Sequence, residues 1–377
     1  MSSPEVSNKH RVSVIRCDDY ESANVRSALE KSLSHLGVSF KMGKKVLIKP
    51  NLMSPTKPEK AITTHPIILE ELCKILKESG SEIFIGESSF HKTEIAFDIC
   101  RIRPLSQYAK LINFETQPQR IVSFGGNIGN VPLPNILFDV DLVINVAKMK
   151  THSLTGVTLC VKNLYGCIPG AIKQGYHNVL TTPQSFSRFL IQLHNEILPQ
   201  LNIIDGIIGV EGAGPGISGQ PISSGLVIAG VSAFAVDIIA SEIMGFKAED
   251  IFTNRYSGLQ RIDIEIVGDG HDARLPFEKP LSASIPCFQF FARFIPQSRI
   301  DFRSDYCVVC GLCGEKCPNV AISFDSFPTC DNRRCVRCYC CMEACPHGAV
   351  YLHEHWTRTW LRAIAKKWSG VMRTRDN

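Results

Sequence analysis

Ten of the sixteen cysteines in this 377-residue chain fall between Cys307 and Cys345. Cys307, Cys310, Cys313 and Cys317 have the spacing C-x2-C-x2-C-x3-C, with Pro318 next. Cys335, Cys338, Cys341 and Cys345 repeat it 28 residues later, with Pro346 next. Cys-Val opens both copies, and Pro-x-x-Ala followed by Ile322 or Val350 closes both. Four thiolates are what a [4Fe–4S] cube requires. A tight loop wraps three thiolates around a cube, while its fourth points away toward the other copy. The expected sets are therefore Cys307, Cys310, Cys313 and Cys345 on one cluster, and Cys335, Cys338, Cys341 and Cys317 on the other. Zinc sites more often use two separated C-x-x-C knuckles than three thiols in one seven-residue loop. Cys330 and Cys340 remain over, and read as spare thiols.

A second group of residues follows short apolar runs. Val46–Ile48 leads to Lys49 and Asn51, and Ile83–Ile85 leads to Glu87, Ser88 and Ser89. Asp141–Val146 leads to Lys148, Lys150, Thr151 and His152; Thr158–Val161 leads to Lys162 and Asn163; Ile207–Val210 leads to Glu211. Lysines with a histidine and two glutamates suit an anionic substrate carrying a carboxylate or phosphate. Candidate catalytic residues are thus Lys49, Glu87, His152, Lys162 and Glu211. Lys150 and Lys162 would lower the pKa of His152 and keep it neutral, as a base or a metal ligand. Surface lysines at strand ends and a core histidine are the ordinary alternatives. Asp237, within an apolar helix, needs a buried partner.

These residues need a frame that gathers strand ends. Arg11–Arg16, Val46–Ile48, Ile83–Ile85, Asp141–Val146, Leu201–Ile204, Ile207–Val210, Leu226–Ile228 and Ile262–Val267 read as strands. Ser22–Leu36, Pro66–Ser79, Phe186–Leu198 and Ala233–Met244 carry the helical period. Such alternation predicts an α/β layered domain with a largely parallel sheet, whose ligand crevice lies at the carboxyl ends of the strands. Gly214-Pro215-Gly216-Ile217-Ser218-Gly219 matches G-x-G-x-x-G, but Pro221 follows where a dinucleotide site needs a helix. It reads as a turn or an anion-binding loop.

Residues 1–286 are expected to form the α/β domain, 287–302 a linker, 303–355 a small α+β two-cluster domain, and 356–377 a helical tail. The chain is 44% hydrophobic and 20% charged, which excludes a disordered chain or a disulfide scaffold. Its net +5 lies wholly beyond Cys287, where 13 Lys and Arg face 8 Asp and Glu. A neutral large domain argues against a nucleic-acid partner. The tail carries all three tryptophans with Arg358, Arg362, Lys366 and Lys367, in the pattern of a basic amphipathic helix. It would dock on the protein or touch a partner or membrane surface. The amino-terminal residues have no signal core, and the expected compartment is the reducing cytosol.

Arg303–His355 resembles the bacterial-type two-cluster ferredoxins, with all eight ligand positions present. VLIKPNL (Val46–Leu52), Thr63-Thr64-His65-Pro66, Gly86-Glu87-Ser88, DLVINVAKMKTH (Asp141–His152), TGVTLCVKNLYG (Thr155–Gly166), DGIIGVEGAGP (Asp205–Pro215) and Val236-Asp237 resemble the domain-of-unknown-function 362 family over about residues 12–270. A more distant likeness to lactate racemase-type folds rests on strand-end Lys and His alone. The resemblance implies an α/β domain joined to a ferredoxin module with two [4Fe–4S] clusters, transferring single electrons. Three readings follow: an oxidoreductase component delivering electrons to a substrate or redox partner protein, a carrier whose α/β domain only docks a partner, or an enzyme with structural or sensory clusters.

Overall fold

The computed structural model describes residues 9–280 and 299–353, apart from 42, 91, 127, 171, 181, 213–215, 217 and 218. The tail 356–377 and most of the linker 287–302 lie outside these residues. The fold is α/β around a largely parallel nine-stranded sheet. From one edge its order is Ile264–Val267, His10–Arg16, Gly219–Gly230, Leu201–Gly212, Leu142–His152, Lys45–Lys49, Glu82–Glu87 and Lys110–Asn113. Gly156–Thr158 folds back on the end of Leu142–His152, pairing Lys150 with Thr158 and His152 with Gly156.

The pleat sends alternate residues to opposite faces. Val46 and Ile48 enter one core and Leu47 the other. Ile144 and Val146 likewise part from Val143, Ala147 and Met149. Both faces are buried, as a parallel sheet requires. Ser22–Leu36 and Pro66–Glu78 pack their apolar stripes on one face, while Pro183–Ile197 and Ala233–Ile243 cover the other.

Three elements depart from the sequence expectation. Leu142–His152 is one eleven-residue strand, so Lys148, Lys150 and His152 lie within it rather than beyond it. Leu201–Ile204 and Ile207–Val210 join into the single strand Leu201–Gly212, paired antiparallel with Gly219–Gly230. Lys162 and Asn163 stand on the one-turn helix Cys160–Asn163, not at a strand end. Gly156, at φ +82°, closes the turn into Gly156–Thr158, where a Cβ would also come within 2.6 Å of Ile251 Cδ1.

The cysteine-rich segment has its own core, built on Ile300, Phe302, Ile322, Met342, Ala349 and Val350. Arg299–Phe302, expected in the linker, pairs antiparallel with Val350–His353. Ile322–Phe324 pairs with Pro328–Cys330.

Candidate functional site: a strand-end cavity beside two thiol-lined cavities

Lys49, the last residue of its strand, is wholly buried and donates to Glu87 Oε2 at 2.7 Å and to the Pro50 carbonyl at 2.6 Å. Glu87 also accepts the Leu52 N–H at 3.1 Å. Burial of this pair is tolerable because each charge meets the other and further hydrogen bonds complete it. Gly166 lies against it: a Cβ there would be 2.4 Å from Glu87 Oε1 and 2.7 Å from Lys49 Nζ.

Next to this pair a chain of amides crosses the sheet ends. Lys150 donates to Asn51 Oδ1 at 3.0 Å and to the Ile62 carbonyl at 2.8 Å. Asn51 donates to Asn163, Asn163 to Asn145, and Asn145 to Asn202, at 2.8, 2.8 and 3.0 Å. Burial lowers Lys150 to a pKa of about 7, with Lys162 and Lys148 also pushing it down. Lys173 donates to the carbonyl and hydroxyl of Ser88, and burial lowers it to about 8.

Asn51, Glu87, Lys150, His152, Lys162 and Lys173 line one cavity, together with Thr158, Asn163, Gly166 and Glu343. The cavity has a volume of about 60 Å³. Of the five candidates, Glu87, His152 and Lys162 reach it directly, and Lys49 stands behind Glu87. Glu211 does not. Its carboxylate accepts the Glu278 N–H at 2.7 Å and so ties down the segment after the sheet. Lys148 is also elsewhere, paired with Asp205 at 2.8 Å beneath Tyr20.

The tautomer of His152 follows from its partners. Nδ1 accepts the N–H groups of Leu154 at 2.9 Å and Thr155 at 3.3 Å, so it holds no proton. Burial, with Lys162 and Lys150 nearby, lowers the ring to a pKa of about 4. The neutral ring therefore carries its hydrogen on Nε2, facing Glu343 Oε1 at 3.3 Å. This tautomer donates a hydrogen bond and cannot act at Nε2 as the base or metal ligand expected from sequence.

Lys162 is held by the rings of Tyr165 and Phe186, whose centroids lie 4.7 and 5.5 Å from its ammonium. Its one-turn helix is anchored from below by Asp237, which accepts the N–H groups of Cys160 at 2.7 Å and Val161 at 3.0 Å. Burial raises Asp237 to about 7 in spite of those bonds. Asp237 thus has a positioning role, and its partners are backbone rather than lysine.

Lys173 and Glu343 were not anticipated. Lys173 comes from the helix Ile172–Val179, far from any apolar strand in sequence. Glu343 comes from the helix Cys340–Ala344 of the cysteine-rich segment, inside the second motif. The Glu-x-Cys ending of that motif was the available signal, but nothing in spacing tells which way the glutamate points.

The cysteine-rich segment holds two further cavities of about 20 Å³ each. Cys307, Cys310, Cys313 and Cys345 line one; Cys317, Cys335, Cys338 and Cys341 line the other, with Cys330 beside them. The remaining lining is mainly apolar, including Phe302, Leu312 and Val350 in the first and Ile300, Ile322 and Val336 in the second. The two loops curl alike. Val309 and Arg337, each two residues after the first thiol, have φ of 52° and 54°. Gly311 and Tyr339, two further on, have φ of 80° and 64°. Non-glycine residues held in this region are strained, and the same strain recurs at matching places around both cavities. Ala321 N–H donates to Cys317 Sγ and Ala349 N–H to Cys345 Sγ, both at 3.2 Å. Among the described residues no three His, Cys, Asp or Glu side chains close on a single ion. A sulfur-only donor set with apolar neighbours is the donor chemistry a multi-iron cube takes, one ligand at each corner.

The family model named "Domain of unknown function (DUF362)" matches residues 46–242. A thylakoid-associated protein of Synechocystis sp. is 31% identical over 238 residues, covering 62% of this chain and 74% of that protein. Two solved structures align at a TM-score of 0.42. One is a protein of Thermotoga maritima, 16% identical, covering 60% of this chain and 59% of that one. The other is the lactate racemase apoprotein of Thermoanaerobacterium thermosaccharolyticum, 14% identical, covering 65% of this chain and 59% of that one. No helix among the described residues is long and apolar enough to cross a membrane.

Proposed function

Because this chain belongs to the domain-of-unknown-function 362 family, whose name assigns no chemistry, we propose from its own residues that it is an iron–sulfur oxidoreductase component serving a substrate or partner at the strand-end cavity. The observation that carries this reading is the division of eight cysteines between two cavities in the interleaved sets. Cys307, Cys310, Cys313 and Cys345 would hold one [4Fe–4S] cluster, and Cys317, Cys335, Cys338 and Cys341 the other. Bound there, the clusters supply one-electron transfer.

The chain's own residues would do the rest. The N–H groups of Ala321 and Ala349 soften the charge on two of the sulfurs and so favour reduction. The loop of Cys335, Cys338 and Cys341 continues into the helix that brings Glu343 to the cavity, which supports placing the redox module beside the substrate. Lys49 neutralises Glu87, and Lys150, Lys162 and Lys173 leave the cavity with a positive excess. The thylakoid association of the Synechocystis relative favours a membrane-surface contact here, which the basic Trp-bearing tail would supply.

Anaerobic purification, iron and sulfide analysis and a potentiometric titration followed by electron paramagnetic resonance test the proposal. About eight iron per chain and two reversible one-electron couples are expected. Iron without a reversible couple would favour structural or sensory clusters, and absence of iron would end the reading.

A further inference from the structure

We infer that the strand-end cavity binds a small carboxylate through Lys162, His152 and Thr158. Three hydrogen-bond donors meet this void without an acceptor of good geometry. His152, 1% exposed, presents Nε2–H to it, and the nearby Glu343 oxygen at 3.3 Å is not aligned to accept. Thr158, 4% exposed, has a buried hydroxyl that meets no partner among the described residues. Lys162 makes no hydrogen bond or ion pair among the described residues, only the ring contacts with Tyr165 and Phe186. All three line the same cavity.

A buried donor left unsatisfied is costly, and an ammonium most of all. Two such buried donors and the half-buried Lys162 ammonium around one void are stable together if an acceptor fills it. A carboxylate offers two oxygens with about four acceptor positions, enough for all three. Phosphate is the poorer match. The cavity has no arginine fork, and the Glu343 carboxylate in its lining disfavours a second negative charge, Glu87 being already paired with Lys49. Glu343 also opposes the ligand's own charge, so its neutralisation strengthens binding. The inference rests on reading this cavity as the substrate site, and it is independent of whether clusters are bound.

Isothermal titration calorimetry of the full chain with sodium acetate, malonate and inorganic phosphate tests it, iron content being measured on the same preparation. Saturable one-to-one binding of acetate or malonate is expected, with phosphate at least about tenfold weaker. Thr158→Val and Lys162→Met each weaken the carboxylate by about tenfold, the cost of one good hydrogen bond in a buried site. Glu343→Gln tightens it. If Lys162→Met fails to fold, Thr158→Val, which changes only a hydroxyl for a methyl, decides alone. No saturable heat with either carboxylate, tighter phosphate than carboxylate, or unchanged binding in Thr158→Val overturns the inference. Carboxylate binding by a chain that takes up no iron would defeat only the redox proposal. Two reversible couples without anion binding would defeat only this one.

Discussion

At Lys150 and Lys173 burial works against charge. Their ordinary pKa of 10.5 falls to about 7 and about 8 in the fold. Between those values and 10.5 the unfolded chain binds protons that the folded chain does not. Stability therefore rises as pH increases through this window, by at most about 1.4 kcal/mol per pH unit for each lysine. Below about pH 7 both states hold the Lys150 proton, and its penalty is constant. Urea denaturation from about pH 7 to pH 8.5 should show the rise relative to Lys150→Met, because unfolded thiols, which ionise near 8.5, lower stability equally in both chains. Lys150→Met should flatten it; an equal slope in the variant would mean that Lys150 is not buried as a cation. The chemistry of these residues was only half legible in sequence. Lys49, Glu87, His152 and Lys162 follow apolar runs, and that placement marked them. Glu211 follows one too, yet its strand runs past the cavity and spends the carboxylate on the Glu278 backbone. Lys173 and Glu343 follow no such run, so periodicity could not mark them.

Among the elements, the turn Cys160–Asn163 matters most because it carries both Lys162 and Asn163. A helix of one turn has almost no stability of its own. Asp237 supplies it from the helix Ala233–Ile243 by accepting two of its leading N–H groups. Asp237→Ala leaves both N–H groups buried and unpaired, at an expected cost of about 2–4 kcal/mol. Acetate binding should weaken in step, since Lys162 loses its support. A loss below about 0.5 kcal/mol in urea denaturation, the range of an ordinary surface change, would refute this anchoring role. The strand Leu142–His152 teaches the complementary lesson. Its apolar pattern stops near Val146, but pairing continues to His152 because the sheet neighbours supply partners for buried Lys148 and Lys150.

For the molecule as a whole, the decisive feature is that a motif near one end of the chain completes a site built by the other. The two thiol-lined cavities each draw on both motifs, and the second motif also sends Glu343 into the strand-end cavity. Crossed ligation makes a definite expectation. Cys345→Ala should remove the cluster of Cys307, Cys310 and Cys313, and Cys317→Ala that of Cys335, Cys338 and Cys341. Iron should fall to about half in each variant, with different signals lost from the paramagnetic spectrum. Loss of the signal belonging to the substituted residue's own loop would establish uncrossed ligation instead.

Local order was readable from residues alone. Alternating apolar runs determined an α/β fold with a largely parallel sheet, and thiol spacing marked eight of the cysteines that line the two cavities, because both depend on separations of a few residues. Tertiary structure decided what depends on distant meetings. It set aside Glu211, gave His152 its Nε2–H tautomer through two backbone donors, made Asp237 an anchor, and brought Lys173 and Glu343 to the cavity. Such contacts join residues as far apart as His152 and Glu343, and no local period or spacing carries that information.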